Sequence, residues 1–209
     1  MIQNKFIILS LEQFGSILRI PFIGQSDFTT EWDLSSLSAY QEPEGPYHTE
    51  LPTPDDIHGF LQFERVDSSR ILRGQLVDLP SNRVLTKEVN KDMKHWEELI
   101  RKNVFGLGGN RDYLSACLAH MMSCIVAEKQ YNLAYFVAKR IEFARATPKV
   151  NLPYGMLLTW LFRQVVEWYP HLDNGIYDIV EERRPHKDPI KTAFLLFSQN
   201  WQKTKIWAT

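Results

Sequence analysis

From Tyr113 to Ala127 the chain runs without a single Asp, Glu, Lys or Arg. Such a stretch must leave water, either into a bilayer or into a protein core. It falls short of the roughly 18 residues that a membrane span needs. It therefore reads as a helix buried at the centre of a fold. A helix so placed needs other elements around it, and the flanking sequence supplies them. Thr86 is positioned to cap a helix whose Val89, Met93, Trp96 and Ile100 recur at spacings of 4, 3 and 4. That helix should stop at "FGLGG", where Gly106 accepts the left-handed conformation. Asn110 is positioned to cap the charge-poor helix, with Leu114, Leu118, Met121 and Ile125 as its stripe. A further helix from Asn132 to Arg145 carries Leu133, Phe136, Val137, Ile141 and Ala144. Pro153 starts another, with Leu157, Leu158, Leu161, Val165 and Trp168, closed by Pro170. The helices around 111–127, 132–145 and 153–168 are expected to form the core by burying these stripes against one another.

The first half is less regular. Phe6, Ile7, Ile8 and Leu9 form a short apolar run of strand formers. Ser10 then has the place of a helix cap, with Gln13 at capping-box spacing and Leu9 and Phe14 as a hydrophobic staple. Leu11, Phe14, Ile17 and Leu18 share one helical face, and Pro21 and Gly24 end the element. Residues 25–53 are loop-like, with four prolines in "YQEPEGPYHTELPTP". Thr53 caps a helix that opens on Pro54, Asp55 and Asp56, residues suited to its positive end. Ile57, Phe60 and Leu61 follow on one face. Residues 66–85 carry the pattern of a weak hairpin or of an extended loop. The expected fold is mainly α: a helical single domain over residues 4–180, with a short N-terminal β-strand and room for a small hairpin. Residues 181–209 read as a divergent, poorly ordered tail.

Composition narrows the function classes. At 44% hydrophobic and 12% aromatic residues, the 209-residue chain can build a core and is unlike a disordered one. A net charge of −1 lacks the cationic excess of a strongly basic nucleic-acid binder. Residues 1–102 carry 11 Lys/Arg against 16 Asp/Glu, and residues 103–209 carry 13 against 9, a mild contrast that solvated surfaces explain. Two cysteines make no disulfide scaffold and suit a reducing, intracellular compartment, nucleus or cytoplasm. The Phe6–Leu9 run is too short for a secretory signal.

Candidate chemistry is sparse. "GLGGNRD", Gly106 to Asp112, has glycines before a helix start, but no Lys-Ser/Thr pair of a P-loop follows it. A helix stop and a tight turn need the same glycines. Cys117, His120 and Cys124 share a helical face, yet positions 117 and 124 stand about 10 Å apart along a straight helix. Two thiolates on one zinc, each at about 2.3 Å, cannot be so far apart, and no second cysteine pair completes a site. No metal or cofactor is expected. His48, His58, His95, His171 and His186 are scattered, and His171 with Asp173 fits a turn. No nucleophile elbow and no H-E-x-x-H motif appears. "AKRIEFARATPK" gathers Lys139, Arg140, Arg145 and Lys149, the candidate contacts for nucleic acid, although cations also suit the end of a helix.

Four stretches, in order, carry a likeness: "FGSILRIPFIGQSDFTTEWDL" (14–34), "LPTPDDIHGFLQFERV" (51–66), the long run from Leu85 to Pro148, and "NLPYGMLLTWLFRQVVEWYPHLDNGIYDIV" (151–180). Together they resemble the putative plant transposon protein domain, found in open reading frames of plant retrotransposons beside gag or pol segments. "IILSLEQFGSILRIPFIG" is also distantly similar to the start of the plant mobile domain. The likeness implies truncation upstream of Phe6. It implies no catalytic residue, because the family offers no established active site to carry over.

The resulting expectation is a non-catalytic module of a plant retrotransposon-derived protein. Its partners would be other retroelement proteins, itself, or nucleic acid, with no membrane and no small-molecule substrate. The alternatives are a transposition enzyme of nuclease or integrase type, its acids drawn from distant segments, and a single-stranded nucleic-acid binder.

Overall fold

The computed structural model describes residues 7–39, 51–61, 69–72, 74–78, 82–106, 112–147, 150 and 154–172. Over these the chain is mainly α. In order come α1 (Leu11–Leu18), α2 (Ser36–Ala39), α3 (Pro54–Leu61), strands β1 (Ser69–Leu72) and β2 (Gln75–Asp78), then α4 (Lys91–Ile100), α5 (Ala116–Val126), α6 (Leu133–Ala146) and α7 (Gly155–Trp168).

The charge-poor run forms α5 and sits at the centre. Every residue from Ala116 to Cys124 is buried. Burying a side chain such as Leu118 or Met121 is worth about 1.5–3 kcal/mol, which exceeds the roughly 1–2 kcal/mol of backbone entropy at each position. The stripes of α6 and α7 are also buried in part, through Phe136, Val137, Leu157 and Val165. The main neighbours differ from expectation, however. α5 packs chiefly against α3 and α4, and α1 bridges α6 and α7. Two turns of helix are marginal alone. α1 is held by its capping box, with Ser10 N–H donating to Gln13 Oε1 at 2.9 Å and Gln13 N–H donating to Ser10 Oγ at 3.1 Å.

Two expected helix starts move downstream, for one shared reason. Thr86 opens a single 3-10 turn (Thr86–Glu88), and α4 is capped instead by Asn90, whose side chain accepts from Asp92 N–H. α5 is capped by Ser115, while Asn110 lies outside the described residues. Between these positions Leu85 and Tyr113 form an antiparallel bridge. Thr86 N–H donates to Asp112 O at 3.0 Å, and Leu114 N–H to Val84 O at 2.9 Å. The bridge holds Leu85 and Tyr113 in extended geometry, so each α-helix starts only some residues after it. α4 ends as expected before Gly106, whose φ is +82°, after a π-helical turn over Arg101–Phe105.

The N-terminal strand does not form over its described residues. Ile7, Ile8 and Leu9 have no regular structure, and Ile8 is 91% exposed. No ladder among the described residues reaches this run. The hairpin does form: β1 and β2 pair antiparallel, with Ile71 opposite Leu76. Thr53 caps α3 as read, with Asp56 N–H donating to Thr53 Oγ1 at 3.2 Å. Ile57 and Leu61 are buried there, while Phe60 is part of the surface. The 181–209 tail, His48, His186 and Asp173 lie outside the described residues.

Candidate functional site

Between α1 and α2 the chain from Ile20 to Thr29 bends at Ile23–Gly24 and then makes one isolated bridge at Gln25, and we call this segment the strap. Arg19 ends α1 in the left-handed region, with φ +56°, and turns the chain out of the helix. Gly24 then makes the strap's tightest approach. Its φ is +117°, and a Cβ there would stand 2.3 Å from Gln130 O. Only glycine fits such a position. The approach lets Gln25 N–H donate to Gln130 O and Asn132 N–H donate to Gln25 O, each at 2.8 Å, a parallel bridge between Gln25 and Tyr131.

Past Gly24 the strap presents alternate residues, Gln25, Asp27 and Thr29, toward α5. Alternation by two is the periodicity of extended chain. They meet Cys124, His120 and Cys117, the one-face series on the helix. Cys124 Sγ donates to Gln25 Oε1 at 3.7 Å. His120 Nδ1 lies 2.9 Å from Asp27 Oδ1, and His120 Nε2 lies 2.6 Å from Gln25 Oε1. Thr29 N–H donates to Cys117 Sγ at 3.2 Å, and Cys117 Sγ donates to Thr29 O at 3.4 Å. Tyr131 adds its hydroxyl, which donates to Asp27 O at 3.4 Å, and its ring stands edge-on to His120. The strap and α5 thus read each other residue by residue, over a span of about 10 Å on the helix.

The electrostatics follow from enclosure. The side chains of His120 and Asp27 are 0% exposed. Burial alone would lower the imidazole's pKa. The Asp27 carboxylate more than reverses this by its charge and its hydrogen bond, with a smaller part from Cys124, and the ring is held up at about 10. Nδ1 faces a carboxylate oxygen and Nε2 faces the Gln25 side-chain amide, an arrangement that accommodates an imidazolium. Burial, then the Asp27 charge, pushes the Cys117 thiol and the Tyr131 phenol well above their ordinary values. A thiol so placed stays protonated and is a poor nucleophile. Asp27 Oδ2 is buried without a hydrogen bond, so the carboxylate's charge is compensated chiefly through Oδ1.

The histidine that sequence spacing placed with two cysteines therefore uses both nitrogens on the strap, and Cys117 uses its sulfur on Thr29. No group of three or more His, Cys, Asp or Glu among the described residues has the arrangement to hold a metal ion. Gln25, Asp27 and Thr29 were not singled out by sequence. Their alternation directly after a Gly is the signal that matches the 117, 120, 124 series.

The basic cluster is placed as follows. Lys139 pairs with Glu142 at 3.6 Å and lies over the Tyr135 ring. Arg140 turns inward: its Nε is buried without a hydrogen bond, and its charge reaches Cys117 and Tyr154. Arg145 is exposed in the last turn of α6. Lys149 lies outside the described residues. Elsewhere a surface groove of about 400 Å³ is lined by Leu85, Thr86, Lys87, Lys94, Glu97, Glu98 and Asp112. Arg101 pairs with Glu97 and also reaches Thr86 Oγ1 and Tyr113 O, while Lys102 pairs with Glu98. The groove is of mixed charge and favours neither anion nor cation.

No family model matches the chain, and neither does any curated protein or solved structure. Among the described residues, no helix is long and apolar enough to cross a membrane.

Proposed function

We propose that this chain is a non-catalytic helical module of a plant retrotransposon-derived protein, acting by assembly with itself or other element proteins, or by contact with nucleic acid. One observation carries the non-catalytic part. The His120, Asp27, Cys117 and Cys124 cluster is sealed from solvent and engaged in holding the strap on α5. A general base or nucleophile must reach a substrate, and these groups are turned away from any. The retroelement part is supported by the ordered phrases of residues 14–180. Free, buried cysteines agree with a place in the nucleus or cytoplasm.

The decisive experiment incubates the purified full chain with single- and double-stranded DNA and RNA, with and without magnesium or manganese. Light scattering of the same preparation gives its mass. The reading expects intact nucleic acid and either a defined oligomer or binding. Metal-dependent cleavage that one carboxylate substitution abolishes would overturn it in favour of a transposition enzyme.

Nucleic-acid contact has its own supporting observation: α6 carries the exposed Arg145 and, six positions earlier, the partly exposed Lys139. It predicts affinity that falls steeply with salt. Binding indifferent to salt removes that branch and leaves protein assembly.

A further inference from the structure

We propose that the strap is a proton-linked latch: it docks on α5 only with His120 doubly protonated, and it lifts as one unit when that proton is lost. The geometry carries this. Nδ1 and Nε2 of His120 face Asp27 Oδ1 at 2.9 Å and Gln25 Oε1 at 2.6 Å, and both acceptors belong to the strap. A neutral ring has one N–H, so it keeps a bond to Asp27 but leaves that buried carboxylate without the cation it pairs with, a charge stranded away from water. The other titratable groups on the ring are few. Asp27 faces it from the strap, Cys124 from α5, and Tyr131 from the link between α5 and α6; Cys117 and Arg140 act at one remove.

The direction of the effect follows from the two states of the ring. Freed from the strap, His120 returns toward its ordinary value of 6.5, whereas docked it sits at about 10. The docked value is the raised one. Docking is thus fully supported below about pH 6.5 and progressively weakened up to about pH 10. Within that window each strap opening releases one proton to solvent. The opening equilibrium therefore rises by up to about tenfold per pH unit.

The molecule contains its own reporters. Its two cysteines, Cys117 and Cys124, both lie buried under the strap. The test measures their alkylation by N-ethylmaleimide in the native full chain from about pH 6 to about pH 9. At each pH the rate is divided by that of the denaturant-unfolded chain, which removes the thiols' own titration. The latch predicts that both cysteines react together, faster than global unfolding, with a normalised rate that climbs steeply with pH. His120→Gln should react with a flat normalised profile. Nitrogen-detected NMR of the wild-type imidazole supplies a check that needs no variant: both ring nitrogens should carry protons at about pH 8, far above the ordinary histidine range. A flat wild-type profile overturns the proposal. So does a neutral ring at that pH, an unchanged slope in His120→Gln, or labelling only at the rate of global unfolding.

Discussion

His120 and Asp27 stand 93 positions apart in sequence and meet through a 2.9 Å contact with neither side chain exposed. A buried pair of this kind adds less stability than its attraction suggests, because both charges had to leave water. Removing one partner is another matter, since it strands the other. Here it would also detach the strap from the middle of α5.

Asp27→Asn is therefore expected to lower folding stability by roughly 2–4 kcal/mol at neutral pH. Urea denaturation followed by tryptophan fluorescence measures this. The variant should also lose most of the wild type's decline in stability between about pH 6.5 and about pH 10, because nothing then holds the imidazole proton.

Two glycine substitutions should move stability in opposite directions. Gly24→Ala places a methyl 2.3 Å from Gln130 O at a φ of +117°. The strained backbone and the clash together should cost roughly 2–4 kcal/mol. Gly59→Ala, inside α3 with no atom near its Cβ position, should gain about 0.5–1 kcal/mol from helix propensity. Paired thermal melts of the two variants decide both signs.

Tyr154 ties the start of α7 to the π-helical turn, donating to Val104 O at 2.7 Å from a buried ring. Tyr154→Phe keeps the ring and removes that bond, a loss of about 1–2 kcal/mol by denaturant titration. Burial also raises the phenol's pKa. In an alkaline absorbance titration Tyr154 should ionise only after the exposed tyrosines have done so.

Arg145 separates surface function from stability. Its exposed side chain in the last turn of α6 predicts that Arg145→Ala changes stability by no more than about 0.5 kcal/mol. If the chain binds nucleic acid through this face, the same variant should flatten the salt dependence of binding by about one counterion. Fluorescence anisotropy at several salt concentrations measures that slope.

What the sequence disclosed was local. The capping residues Ser10 and Thr53 act within three positions, and each caps its helix as expected. The missing charges of α5 announced its burial, because that property belongs to the segment itself. Thr86 and Asn110 misled because the bridge between Leu85 and Tyr113, which delays both helices, joins segments far apart in the chain. Phe6–Leu9 had the composition of a strand, but composition supplies no partner. The strap was hidden for a related reason. Gln25, Asp27 and Thr29 look like ordinary loop polarity until the helix carrying Cys117, His120 and Cys124 is laid beside them. The inward turn of Arg140 likewise depended on how α6 is rotated, which its own stripe left open.

The strap and its helix also bear on how the molecule is made. A ribosome extends a chain by about 5–20 residues per second, so the strap waits roughly 5–20 seconds before the helix it clasps has been synthesised. Throughout that interval Gln25 and Asp27 have no counterpart, and α1 alone is too short to hold the segment in place. The strap can dock only after the intervening chain has been made, and any helper that shields nascent chains would find the strap bare throughout that interval.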